Sequence, residues 1–269
     1  MNEYGTACRP KLAELLGCVG LDVTYTRARG AYLYRTGEDG REVPVLDLVG
    51  GFGTGLLGHN NPELRALLEA QLDAEMPFLA QSAIRQEAGR LGEEINRRLS
   101  TRRPYLCHLS NSGAEAIEAA LKHAYKVRFD VVRRAFEAVA RDIEAFHREA
   151  ERDHPAIEVP GTDRGLAGFR DDLDEHNIAE LERFQNAPVV LALKGSFHGK
   201  TATALKVTFN RSYREGFEGL SAVRPRFLGF DDVARLDTIL GQHRVELLRP
   251  SIEDGRIVVE RVPLTTVIA

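Results

Sequence analysis

The sequence predicts an α/β fold of three layers built on a mostly parallel sheet, and three observations predict it. The apolar run Tyr105, Leu106, Cys107, His108, Leu109 reads as a strand and passes through Ser110, Asn111, Ser112 and Gly113 straight into a helical pattern beginning near Ala114. A second run, 188–193, ends in Gly195, Ser196, Phe197, His198, Gly199, Lys200 and Thr201. The closing residues, 263–269, form a third apolar run with no turn, cap or polar tail after it. Strands apolar along their whole length suit a parallel sheet that is covered on both faces.

In chain order, 11–21 has helical spacing, and 24–34 reads as strand around Gly30. A turn at 36–40 precedes a strand at 43–49, which is the pattern of a hairpin. Asn61 before Pro62 is a cap and first-turn pair, and Leu64, Leu67, Leu68 and Leu72 share one face, so a helix is predicted from 62 to about 75, stopped by Pro77. A second helix follows over 84–99, and Pro104 opens the strand at 105–109. The helix that starts near Ala114 keeps its apolar spacing through Tyr125, Val131, Val132, Phe136, Val139, Ile143 and Phe146, and Asp153, His154 and Pro155 end it. We read 127–186 as a helical excursion with a polar loop at 160–168 and a further helix around 178–184, its outer face solvated, with partner docking as the alternative. Residues 213–219 read as loop, 233–240 as helix, and 245–248 and 257–260 as strands.

Composition narrows the classes. At 269 residues the chain can bury a sizeable core, and 43% hydrophobic with 28% charged residues is ordinary for a globular protein. A net charge of −4 gives no electrostatic basis for nucleic-acid binding. No apolar run reaches the roughly 18 residues of a spanning helix, and the first residues lack the basic start and apolar core of a signal peptide, so a cytoplasmic protein is expected. Cys8, Cys18 and Cys107 form no Cys-x-x-Cys pair, and the eight scattered histidines show no metal-ligand spacing, so neither a disulfide framework nor a metal site is expected.

Each motif has a structural and a chemical reading. A helix start leaves backbone N–H groups unpaired and carries partial positive charge, so Ser112, Gly113 and Ala114 form either an ordinary cap or an anion cup. Glu115, in the first turn, suits the helix but disfavours an anion placed too near. Phe197 is either a core aromatic at a strand end or a wall for a planar ligand, and the glycines around it favour the wall. His198 is a packing residue or an outlying donor. Gly53, Gly55 and Gly58 match the dinucleotide pattern G-x-G-x-x-G, but that fingerprint opens its helix with the glycines, whereas His59, Asn60, Asn61 and Pro62 push the helix downstream here. A nicotinamide-dependent oxidoreductase is therefore a remote alternative.

Three segments, in order, resemble the class III aminotransferases of pyridoxal-phosphate fold type I: 46–62 with Gly53, Gly55, Gly58, His59, Asn60, Asn61 and Pro62; Asn111 to Ala116; and Ser196, Phe197, His198, Gly199. The resemblance implies the large domain of that fold, incomplete, over 61–269, with 1–60 contributing strands to a small domain and the excursion at about 127–186 as a departure. It implies pyridoxal 5′-phosphate held by Ser112, Gly113 and Ala114, with Phe197, His198 and Gly199 against the ring and Phe52, Gly53 and Thr54 on the substrate side. It implies amino-group transfer between an amine or amino acid and a keto or aldehyde acceptor, in a homodimer. The family's Schiff-base lysine has no match here: Lys194, Lys200 and Lys206 stand elsewhere, so the chain is expected to be truncated and inactive alone. A degenerate binding or assembly module of the same fold is the alternative.

Overall fold

The computed structural model describes residues 3–77, 82–99, 102–186 and 189–268, in two compact units, 1–85 and 86–269. Pro188 and Ala269, at the ends of two predicted strands, lie outside the described residues.

In the first unit, α1 (Glu3–Ala7) and α2 (Pro10–Cys18) precede an antiparallel meander of β1 (Tyr25–Arg29), β2 (Tyr32–Thr36) and β3 (Glu42–Leu46). The predicted 24–34 strand is thus two strands, turned at Gly30 with φ 57°. The glycine segment follows as α3 (Gly50–Gly53), a single turn in which Gly51 and Phe52 are left-handed. Then comes α4 (Pro62–Asp73), where the Asn61 side chain accepts from the Glu63 and Leu64 amides, so the glycines do not open this helix.

Asp47 fastens the glycine segment. Its carboxylate accepts from the Val49 and Gly50 amides at 3.0 and 2.9 Å and lies 2.8 Å from His59 Nε2. The Gly50 amide first, then the His59 ring, hold this carboxyl below the usual aspartate range. Its contribution to stability is therefore complete above the ordinary aspartate value of about 3.9 and lost as pH falls through the lowered folded value. Amide exchange at Val49 and Gly50 should accelerate on acidification, relative to intrinsic rates, and Asp47→Asn should remove that dependence.

The second unit begins with α5 (Gln86–Leu99) and α6 (Gly113–Asp153), a helix of 41 residues and so about 60 Å long. Its other elements are α7 (Gly165–Asn186), β4 (Val189–Leu193), α8 (Ala202–Val207), α9 (Arg211–Arg214), a 3-10 turn Glu218–Leu220, β5 (Arg224–Leu228), α10 (Val233–Gln242), β6 (Arg244–Glu253), β7 (Arg256–Thr265) and β8 (Val267–Ile268). The sheet β5-β4-β8 is parallel, with Val189 opposite Arg224 and Val267. Successive side chains of β4 go to opposite faces. Val190 and Ala192 meet Ile117, Leu121, Ala124 and Tyr125 of α6 on one face, while Val189 meets Leu236, Ile239 and Leu240 of α10 on the other. This is the expected three-layer arrangement.

The predicted strand at 105–109 does not form. The Tyr105 N–H donates to Asn96 Oδ1 at 2.7 Å and its carbonyl accepts from Asn96 Nδ2 at 2.9 Å, Leu106 and Leu109 are exposed, and among the described residues no strand pairs with this run. An apolar run becomes a strand only where a neighbour takes up its backbone groups.

The excursion is more deeply packed than its sequence suggested. Helix α7 begins at Gly165, inside the segment predicted as loop. Val139, Ile143, Phe146 and Ala150 of α6 and Phe169 and Leu173 of α7 close around Leu247 of β6. Strands β6 and β7 form one ten-residue-pair hairpin over Asp254-Gly255, both with positive φ, the conformation that an Asp-Gly turn favours. The free edge of β6 is covered by α7: Asn177 exchanges two hydrogen bonds with Leu248, His176 Nε2 lies 2.9 Å from the Glu246 carbonyl, and Glu180 accepts the Glu246 amide. A covered edge no longer templates pairing with another chain. The hairpin is itself an excursion, leaving at His243 and returning at Thr266, whose N–H and hydroxyl both donate to the His243 carbonyl.

Candidate functional site

The two motifs come together at the start of α6. Ser112 is its cap: the Oγ accepts the Glu115 amide at 3.2 Å, while the Glu115 carboxylate accepts the Asn111 and Ser112 amides at 2.7 and 3.1 Å. This capping box satisfies three donors and turns the Glu115 charge back onto its own loop. Gly113 and Ala114, the first helical residues, precede the first intrahelical bond, from the Ala116 amide to the Ser112 carbonyl. Among the described residues their N–H groups have no acceptor. The Ser112 hydroxyl still has its proton to donate, since only a lone pair is used in the cap. The structural and chemical readings of this motif are therefore compatible: the cap is formed, and two amides and a hydroxyl remain.

The second loop lies against this start. A side chain at Gly199 would meet Ala114 Cβ at 2.6 Å and Ala114 Cα at 3.1 Å, and Gly199 has φ 119°, so both the approach and the backbone require glycine. Buried Thr208 braces the loop: its Oγ1 accepts the His198 amide at 2.9 Å and lies 3.0 Å from the Gly199 carbonyl and 3.2 Å from that of Ala204. The Phe209 amide donates to the Ser196 carbonyl. Phe197 is 61% exposed, and its ring stands edge-on to Tyr213 at 6.0 Å. Lys200 Nζ lies over the Tyr213 ring at 4.3 Å, and Lys206 Nζ donates to the Glu218 carbonyl.

Glu118, one turn into α6, was not singled out by the sequence. Its Oε1 accepts from Thr201 Oγ1 at 2.7 Å, the Thr203 amide at 2.8 Å and the Ala204 amide at 3.0 Å. Partial burial pushes its carboxyl up, but the Thr201 hydroxyl and the Ala204 and Thr203 donors together outweigh that and hold it below the usual glutamate range. Neither Glu118 nor Thr208 carries a motif; only their long-range partners reveal them.

Ser112, Gly113, Ala114, Phe197, His198 and Gly199 thus fall in one region of the second unit, with the Gly199 backbone touching Ala114. Phe52, Gly53 and Thr54 belong to the first unit, where Phe52 is 97% exposed and left-handed and Thr54 Oγ1 donates to the Gly51 carbonyl. Orphan amides and a hydroxyl at a helix start, beside an open aromatic face, fit a phosphate joined to a flat ring. Among the described residues no helix is long and apolar enough to cross a membrane.

Comparison with known proteins identifies a family. The chain is 28% identical over 244 residues to the LysW-aminoadipate semialdehyde/glutamate semialdehyde transaminase of Sulfolobus acidocaldarius, covering 89% of this chain and 45% of that protein. It is 30% identical over 196 residues to the acetylornithine aminotransferase of Myxococcus xanthus, covering 73% and 34%. The chain therefore spans less than half the length of these curated relatives. Among solved structures, the ornithine aminotransferase of Toxoplasma gondii ME49 aligns over 90% of this chain and 46% of its own at a TM-score of 0.48 and 19% identity. The family model described as Aminotransferase class-III matches residues 18–242, which take in the glycine segment, the α6 start and the Phe197 loop. By that match, and with the two motifs joined as described, the chain belongs to the class III aminotransferases.

Proposed function

We propose that the protein takes part in transfer of an amino group between an amine or amino acid and a keto or aldehyde acceptor, with pyridoxal 5′-phosphate bound at the start of α6. The contact of Gly199 with Ala114 carries this proposal, because it sets the aromatic loop beside the amides that would take the phosphate. The Gly113 and Ala114 N–H groups and the Ser112 hydroxyl would donate to phosphate oxygens, and the α6 start adds favourable partial charge. Phe197 would cover one face of the ring and keep water from it, with His198 held beside it through Thr208. When bound, pyridoxal phosphate supplies the electron sink for the reaction. The nucleophilic lysine is proposed to come from residues outside this chain, since none of Lys194, Lys200 and Lys206 stands where the family resemblance places it; Lys200 lies over Tyr213 and Lys206 donates to the Glu218 carbonyl. The chain alone is accordingly proposed to be inactive, and its activity to belong to a complete, cytoplasmic homodimer. The substrate-side role of Phe52, Gly53 and Thr54 is part of the same proposal.

Pyridoxine 5′-phosphate tests it, because that compound keeps the phosphate and ring but has no aldehyde to react with surface lysines. Calorimetric titration should show one site. Phe197→Ala should weaken binding by several-fold, in line with about 0.5–1.5 kcal/mol for an aromatic pair. Ser112→Ala should weaken it and also destabilise α6 by about 1 kcal/mol through loss of the cap. Binding unaffected by both substitutions would place the ligand elsewhere.

A further inference from the structure

We propose that Glu118 is a positioning residue for this site: its carboxylate ties α8, and through it the Phe197 loop, to the helix whose start would hold the phosphate. The inference rests on the pyridoxal-phosphate assignment above and adds to it the element that sets the spacing of the two half-sites.

A short helix needs acceptors for its first amides. The residue best placed to serve α8 locally is Thr201, yet its side chain makes no cap bond to that helix. Its hydroxyl donates instead to Glu118, 83 positions earlier, and the same Oε1 takes the Thr203 and Ala204 amides. A local cap would satisfy α8 and leave it free to shift relative to α6. The long-range cap satisfies the same donors and fixes α8 to α6 at once. Being ionised, the acceptor makes bonds stronger than a neutral cap would. The residues it fixes begin two positions after Gly199, and Gly199 is the point of contact with Ala114. At the far end of α8, Thr208 holds His198 and Gly199. The loop is therefore clamped at both ends of one short helix, and Glu118 is the clamp that reaches α6.

The test compares wild type, Glu118→Ala and Glu118→Gln in the 269-residue chain, with far-UV circular dichroism to confirm unchanged helix content. The amide of glutamine keeps one oxygen able to accept, so it serves as the conservative variant. With its three charge-assisted bonds to the Thr201 to Ala204 segment gone, the alanine variant should bind pyridoxine 5′-phosphate roughly tenfold more weakly. The glutamine variant should bind more tightly than the alanine variant and less tightly than wild type, since its neutral oxygen accepts more weakly than the carboxylate. Inorganic phosphate, which uses only the α6 start, should bind all three equally. Equal affinity of wild type and Glu118→Ala for pyridoxine 5′-phosphate would overturn the positioning role while leaving the cofactor assignment standing. An equal loss for both probes would overturn it too, showing a general structural defect. If wild type binds neither probe, the cofactor assignment is what fails, and amide exchange decides the clamp. Faster exchange at Thr203, Ala204 and 196–199 in Glu118→Ala than in wild type supports it, and unchanged exchange overturns it.

Discussion

Gly199→Val is expected to unfold at markedly lower urea concentration than wild type and to lose binding of pyridoxine 5′-phosphate. Two costs coincide at this position. The first is contact: even a Cβ would come within 2.6 Å of Ala114 Cβ, with the Ala114 backbone directly behind it, so no flexible side-chain end can swing away. Overpacking of this kind costs about 1–3 kcal/mol. The second is conformation: at φ 119° an L side chain is strained whatever the space, at about 1–3 kcal/mol more. Gly195→Ala separates the two, because Gly195 also has positive φ, 82°, but faces open space. It should show the strain alone and leave ligand binding near wild type. A Gly199→Val chain that matches wild type in midpoint and affinity would mean that the two motifs do not meet.

Phe184→Ala should destabilise the chain by about 3–5 kcal/mol, the usual cost of emptying a large aromatic site in a core. Phe184 is 1% exposed, packs with Val132 of α6 and Val245 of β6, and stacks on Tyr125 at 6.1 Å with the rings 9° from parallel. It therefore joins the two excursions to each other and to the helix that starts the site. Urea unfolding measures the loss, and amide exchange should locate it in α7 and β6. Ile178→Ala, on the exposed side of the same helix, should change stability by less than about 0.5 kcal/mol. A small effect at Phe184 would show the excursion to be the solvated surface element that its charge pattern suggests.

Local rules made several elements legible. Asn61 and Pro62 announced α4 because cap and first-turn chemistry act within four residues. The apolar spacing from Tyr125 to Phe146 announced the length of α6. The start of β5 at Arg224 and the short α8 were missed, since neither has a long enough pattern to stand out. The β6–β7 hairpin was half-read: both strands were found, but the Asp254-Gly255 pair that turns one into the other went unused, although that dipeptide is a strong hairpin signal.

For the site, residue types and their order marked Ser112 to Ala114 and Phe197 to Gly199, because an anion cup and a ring wall need small or flat residues at fixed places along the chain. Sequence alone also argued against a helical glycine fingerprint at Gly53 to Gly58, since the distance to the next cap is a local quantity, and the Asn61 cap bears this out. What only the tertiary structure decided is of another kind. It showed that Gly199 touches Ala114, that Glu118 caps a helix more than eighty residues away, and that Tyr105 spends its backbone groups on Asn96 instead of a strand. Each depends on which distant group becomes the partner of a donor, an acceptor or a bare backbone. Hydrogen bonding and close packing are pairwise and short-ranged, so a pattern along one segment can state the need for a partner but not name it.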